Sequence, residues 1–409
     1  MADVAHRPTP KRAELTQGAL LVAVLVAALV IRLALLRVPG HAGDVQVMAR
    51  WAENLAAYGP WDFYVHDSSI YPTLLPFLWP LGLGLDGEAL GTVLKGLSIP
   101  FDLVIGLVLY AVVARRTRRP TGLLAASLYL FNPGVLLAGP VWGQVDAVGT
   151  LVMLGSILAL ATHRFAAAGG LAALAGLAKP QFGLIALPVL AVVALRARRV
   201  RRARPLIAAG IGALVAILVV GAFTRLGPGT WIASVLNVVA LKPWTSANAL
   251  NPWGLLVGFR VDDAPYVGIG TLLLVLGLVS ALLPLRRGSD LPTLLTVGLL
   301  IAFAFYFLPT RVHERYLFPA LALAAPLAAV DRRCLVAYLV MSAAFALSLL
   351  RALADTTPIR LPPGLETALL SGSAVWLIGL ALMGGAGALA WLSLSGAGRA
   401  LAPTSANPG

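Results

Sequence analysis

Cysteine occurs once in this 409-residue chain, at Cys334. A lone thiol builds neither a disulfide framework nor a thiolate metal site. Charge is scarce too: 12% of residues are charged, and the 17 acids are outnumbered by 31 lysines and arginines. There is no HExxH zinc pattern and no glycine-rich phosphate loop, and His41, His66 and His163 are scattered. With 59% hydrophobic residues and a mean hydropathy of +0.88, the composition excludes a soluble globule. The net charge of +14 would suit nucleic acid. But the basic residues form short arginine clusters between apolar runs, a topology signal and at most an anionic-lipid contact, so no nucleic-acid partner is expected.

What the chain has in abundance is long apolar runs. They predict helices over 18–37, 91–114, 121–139, 146–162, 166–178, 182–195, 206–224, 265–284, 291–308, 316–330, 334–352 and 366–394. The expected fold is an all-α polytopic integral membrane protein of about twelve transmembrane helices, ten to thirteen as a range. Arg7, Lys11 and Arg12 before the run from Gly18 resemble a signal peptide, but the run is too long and further spans follow, so a retained first helix is expected. With the N-terminus inside, Arg115–Arg119, Arg196–Arg204, Arg286-Arg287 and Arg332-Arg333 all fall in the cytoplasm. The expectation is a multi-pass plasma-membrane protein with both termini cytoplasmic. Cytoplasmic tails, 1–17 and 397–409, with disorder expected over 1–15 and 397–409, would flank one membrane unit, 18–396. Two long loops, 38–90 and 225–264, would lie outside. Within the first, Met48, Trp51, Ala52 and Leu55 share a face, the pattern of an interfacial helix. YPTLLPFLWPLG (71–82) is apolar but proline-broken and too short to cross.

The polar motifs then gather on the outer side. Asp44, just beyond the first helix, is either an N-cap or an ionised carboxylate able to take a proton. His313, Glu314 and Arg315, with Arg311 nearby, could snorkel to lipid phosphates, but an acid packed between two cations is more than an interfacial anchor needs. Arginine as a two-pronged donor and histidine as a switchable one suit a specific phosphate. Gln144 and Asp146 head one span, and Lys179 with Gln181 sits between two others. Asp146 and Lys179 either neutralise each other or serve a site. Asn248 and Asn251, before Pro252-Trp253-Gly254, offer amides to sugar hydroxyls or simply cap a turn. Asp102, with Lys95 two turns earlier, is expected to order the bundle.

In order, these residues carry a resemblance. DxxxMxxWAxxLxxxGPxxFY (Asp44–Tyr64), Tyr71-Pro72, NPxxxxxxxxWGQVD (Asn132–Asp146), KPQ (Lys179–Gln181), NxxNPWG and HERYLFP (His313–Pro319) resemble the GT-C superfamily of glycosyltransferases. Within it they are most similar to bacterial integral-membrane mannosyltransferases related to GPI mannosyltransferase II. The dolichyl-phosphate-glucose glucosyltransferases are more distant. The resemblance covers most of residues 40–320. It implies the GT-C fold and inverting transfer of a hexose, mannose by likeness, from a polyprenyl-phosphate donor to an extracytoplasmic lipid-linked or glycan acceptor. It implies Asp44 as the base and His313 at the donor phosphate; Arg315 and Lys179, on the same face, are further cations for the charge developing on the leaving phosphate. Gln144, Asp146, Gln181, Asn248, Asn251, Glu314 and Tyr71 would bind substrate. The chain has Tyr71-Pro72-Thr73 where the family often has YPP. It lacks the DxD pattern of some branches, so no cofactor and no metal are expected. A transporter or flippase of lipid-linked sugars is the rival reading, but such proteins place their sites near the midplane between repeated halves. The sequence names neither the sugar, the acceptor nor the oligomeric state.

Overall fold

The computed structural model describes residues 10–69, 71–357, 359 and 361–402. Residues 1–9 and 403–409, most of the expected tails, lie outside the described residues. The described chain is helical, with isolated bridges Trp244–Asp262 and Ser246–Val312 as its only extended pairings.

Seven helices among the described residues are long and apolar enough to cross a membrane: Gly18–Leu35, Gly87–Arg116, Pro180–Val200, Arg204–Thr224, Val267–Arg286, Arg332–Thr356 and Gly372–Leu394. Of the twelve expected spans, seven meet this test, or eight if one broken pair is counted as a span. That pair, Arg119–Leu130 and Pro133–Val141, bends by 44°. The break is local chemistry: Asn132 accepts from the Gly134 N–H and caps a new helix, while Pro133 has no N–H to continue the old one. The other four expected spans are Asp146–Ala161, Phe165–Ala178, Leu291–Phe307 and Phe318–Val330, of 13 to 17 residues. At 1.5 Å per residue they cover about 20–26 Å, short of the roughly 30 Å hydrocarbon core. Phe318–Val330 is buried from Phe318 to Ala328, so its all-round apolarity marks a core helix, which periodicity alone does not separate from a lipid-facing one.

The segment 38–90 folds onto the bundle. Helix Ala42–His66 buries Met48, Trp51, Ala52 and Leu55 and kinks at Gly59-Pro60. A short turn, Pro72–Leu74, and helix Leu75–Gly84 lie against it and share a hydrophobic cluster with Leu90 and Leu94. The approach is close: a Cβ on Gly82 would lie 2.0 Å from the Ala52 carbonyl oxygen. Over residues 397–402 the expected disorder gives way to order. Leu401 is buried in a turn over Arg399–Leu401, and Arg116 donates to its carbonyl at 2.8 Å.

Inside the bundle, Asp102 pairs with Arg32 at 3.2 Å, both fully buried, while Tyr129 donates to its other oxygen at 2.7 Å. Lys95 instead reaches the carbonyls of Leu36 and Val38. These bonds tie three helices together and leave Asp102 a structural role.

The chain alternates between two ends. Asp146–Ala161 runs from the polar motifs to Arg164, Phe165–Ala178 returns to Lys179, Pro180–Val200 descends to the arginines, and Arg204–Thr224 comes back. Polar motifs thus accumulate at one end and arginine turns at the other.

Candidate functional site

Helix Ala42–His66 begins at the polar end, and its cap is not Asp44. His41 is the N-cap, and its Nδ1 accepts the Asp44 N–H at 3.2 Å. The Asp44 carboxylate is thereby free to turn inward, where Trp142 Nε1 and Gln144 Nε2 donate to its Oδ2 at 2.8 and 2.6 Å. Those two donors are set by the backbone around them. A wide turn over Leu137–Val141 loosens the helix, a feature frequent at functional sites. Gly143 then takes φ +92°, where a side chain would meet Val45 Cγ2 at 2.8 Å. His41 stacks on Trp142 at 5.2 Å and completes the wall.

From Gln144 the network continues inward. Lys179 donates to Gln144 Oε1 at 3.0 Å and to Asp146 Oδ1 at 2.6 Å, with Lys179 and Asp146 both buried. Arg315 approaches the same Asp44 oxygen, Nη2 to Oδ2 at 3.9 Å, and donates from Nη1 to Glu314 at 2.8 Å. Its Nε is buried with no partner. The loop carrying it is pinned by Asp263, fully buried, which accepts from Thr310 at 2.6 Å and from Arg311 Nε and Nη2 at 2.8 and 3.0 Å.

Charge states follow from these contacts. Burial disfavours ionised Asp44, but Arg315, His41, the Trp142 N–H and Lys179 outweigh it and hold the carboxyl well below the ordinary carboxylate range. Burial likewise opposes the charge on Arg315, and Asp44 and Glu314 more than offset it. Burial, with Arg315 and Lys242 adding to it, pushes His313 well below its usual value. His313 therefore presents a neutral imidazole rather than the second cation expected from the sequence. Burial also pushes the Tyr316 hydroxyl up to about 12.

Asp44, Tyr71, Gln144, Lys179, Gln181, His313 and Arg315 line one cavity of about 490 Å³. Seven of the eleven residues singled out in the sequence are thus brought together. Asp146 and Glu314 sit behind it as partners of Lys179 and Arg315. Asn248 and Asn251 do not line it. Asn251 caps a short helix through the Gly254 N–H and donates to the Tyr306 carbonyl, and the Asn248 amide faces Ala247 and Arg260. Both hold the loop. One side of the cavity is apolar, formed by Val235, Val238 and Val239 with Val267 and Leu274.

Sequence reasoning missed Lys242, which stands at the cavity over the Trp244 ring. Lys179, Arg311 and Arg315 each have a carboxylate partner. Lys242 has none among the described residues. Its position directly after an apolar helix and before Pro243-Trp244 was the available signal.

No family model matches the sequence, and no curated protein matches it. Among solved structures, the archaeal oligosaccharyltransferase AglB from Archaeoglobus fulgidus, in complex with an inhibitory peptide and a dolichol-phosphate, is similar at 17% identity and a TM-score of 0.41. The match covers 94% of this chain and 56% of that one. An Archaeoglobus fulgidus oligosaccharyltransferase in its apo form is similar at 17% identity and a TM-score of 0.42, over 94% and 57% of the two chains. This chain therefore spans little more than half the length of those proteins. Likenesses of this size assign it no activity.

Proposed function

We propose that this chain is a GT-C-type, polyprenyl-phosphate-sugar-dependent glycosyltransferase of the plasma membrane, moving a hexose, mannose by resemblance, to an extracytoplasmic lipid-linked or glycan acceptor. The observation that carries the reading is the juxtaposition of an ionised, partly exposed carboxylate, Asp44, with the largely buried Arg315 guanidinium in a cavity that has a polar wall and a larger apolar one. A transferase of this kind needs a base for the incoming hydroxyl and a cation for the leaving phosphate. The apolar wall suits the first isoprene units of the donor.

In the proposed reaction the acceptor hydroxyl attacks the anomeric carbon and gives its proton to Asp44. The new C–O bond forms as the bond from that carbon to the phosphate oxygen breaks, with inversion. The bonding electrons leave with polyprenyl phosphate, whose added charge meets Arg315 and Lys242 while neutral His313 donates an N–H. Donor phosphate and Asp44 compete for Arg315. Donor binding therefore draws part of the Arg315 field from Asp44 and raises its basicity when a proton acceptor is needed. Lys179, Gln181 and Tyr71 line the remaining polar wall. The arginine turns are cytoplasmic in this reading, and the short apolar helices sit within the bilayer-embedded body. No metal is required.

Purified protein incubated with a panel of polyprenyl-phosphate sugars and host lipid extract should form a glycosylated lipid or glycan, with turnover unchanged by EDTA. Movement of intact labelled donor across proteoliposomes, with no product, would replace this reading with the transporter.

A further inference from the structure

Away from the site, three helices share two adjoining cavities that the proposed chemistry does not use. Phe165–Ala178, Ala186–Val200 and Arg204–Thr224 enclose an apolar groove of about 530 Å³. Small residues line it, among them Gly169, Ala172, Ala173, Gly176 and Ala213, with Trp231 closing one end. At the arginine end of the same helices opens a cleft of about 620 Å³ lined by Arg164, Arg196, Arg202 and Arg204. Their linings adjoin along the helices, with Ala166 and Ala167 at the cleft close to Gly169 at the groove, and Ala208 at the cleft next to Ala209 at the groove. None of the four arginines has a carboxylate partner among the described residues.

We propose that this combined cleft and groove is a binding site for one anionic phospholipid of the leaflet at the arginine end, its headgroup phosphate among Arg164, Arg196, Arg202 and Arg204 and its acyl chains in the groove. Charge complementarity selects the occupant. Four unpaired guanidinium groups favour an anionic phosphate, and a wall of glycine and alanine admits chains where larger residues would close it. The transferase donor does not fit here. Helix Arg204–Thr224 runs about 31 Å between the two ends, so a donor phosphate in this cleft would hold its sugar far from Asp44. The lipid is a structural ligand lying beside the seam where helices Phe165–Ala178 and Arg204–Thr224 pack directly, as where a Cβ on Gly212 would lie 1.9 Å from the Ala166 carbonyl oxygen.

Native mass spectrometry of the full chain in detergent tests this. Titration with phosphatidylglycerol should show one lipid retained in preference to phosphatidylcholine. That affinity should weaken about thirtyfold in Arg164→Gln/Arg204→Gln, given the worth of two basic residues near an anionic surface. Arg286→Gln/Arg332→Gln, which changes the same charge at the same end outside the cleft, should bind as wild type. Gly210→Leu fills the groove from a position where a Cβ meets nothing within 4 Å, so it should fold and lose the lipid. Equal retention of phosphatidylcholine, equal loss in both double variants, or full binding by Gly210→Leu would each overturn the site. Preferential retention of undecaprenyl phosphate over phosphatidylglycerol would overturn it in favour of a polyprenyl site.

Discussion

The carboxylate of Asp44 and the guanidinium of Arg315 lie 3.9 Å apart, and each has a second set of partners that keeps it there. Trp142 and Gln144 hold the first, Glu314 the second. The pair is open on one side to the cavity, so a phosphate entering beside Arg315 changes the electrostatics of Asp44 directly.

A pH profile should show it. Asp44 must be deprotonated to act, and its folded pKa is depressed, so activity in the free enzyme is lost only as pH falls below the ordinary carboxylate value of about 3.9. The acid limb of kcat/KM, which reports the free enzyme, should be absent above that value. The acid limb of kcat, which reports the donor complex, should sit at higher pH. Coincident limbs would separate Arg315 from the donor.

Lys179 and Asp146 form a buried pair, so removing one partner strands the other. Lys179→Met should destabilise by about 3–5 kcal/mol, and Lys179→Met/Asp146→Leu should recover most of it. Denaturation in detergent reads the stability, and donor binding in the stable double variant then reports whether Lys179 also serves the ligand.

Asp263 never touches the cavity yet pins its loop. Asp263→Asn weakens the hold on Arg311 and should cost about 1.5–3 kcal/mol, the range for hydrogen bonds to charged groups. If the clamp positions His313 and Arg315, KM for donor should rise more than kcat falls. A loss of thermal stability with unchanged KM would leave Asp263 a purely structural residue.

Topology is open to single-cysteine labelling because Cys334 is fully buried and silent. A cysteine at His66 should react in intact cells, and one at Arg201 only after permeabilisation. The reverse pattern would invert the orientation and remove Asp44 from the outer face.

The sequence made the site legible where polar residues interrupt apolar runs. Asp44, Gln144, Lys179 and Arg315 stand far apart in the chain, yet burying any of them in a bilayer is costly, so their gathering was readable from topology alone. Partnerships were not. Asp102 was near Lys95 in sequence but pairs with Arg32, 70 residues away, because helix packing rather than spacing decides which cation is within reach. Asn248 and Asn251 had the composition of a sugar site and proved to be loop struts, since an asparagine caps a backbone as readily as it binds a hydroxyl. Apolarity alone did not separate lipid-facing helices from core ones such as Phe318–Val330, which is buried from Phe318 to Ala328.

The central claim is that Asp44 takes the acceptor proton. Asp44→Asn keeps the size of the side chain and an acceptor for Trp142 and Gln144, but no longer accepts a proton at neutral pH. Single-turnover transfer from a polyprenyl-phosphate hexose should fall by about 10²–10⁴, the usual contribution of a positioned base. Donor affinity, measured in the same preparation, should stay within a few-fold of wild type or improve as competition for Arg315 is relieved. Transfer at the wild-type rate by a folded, donor-binding Asp44→Asn enzyme would contradict the assignment.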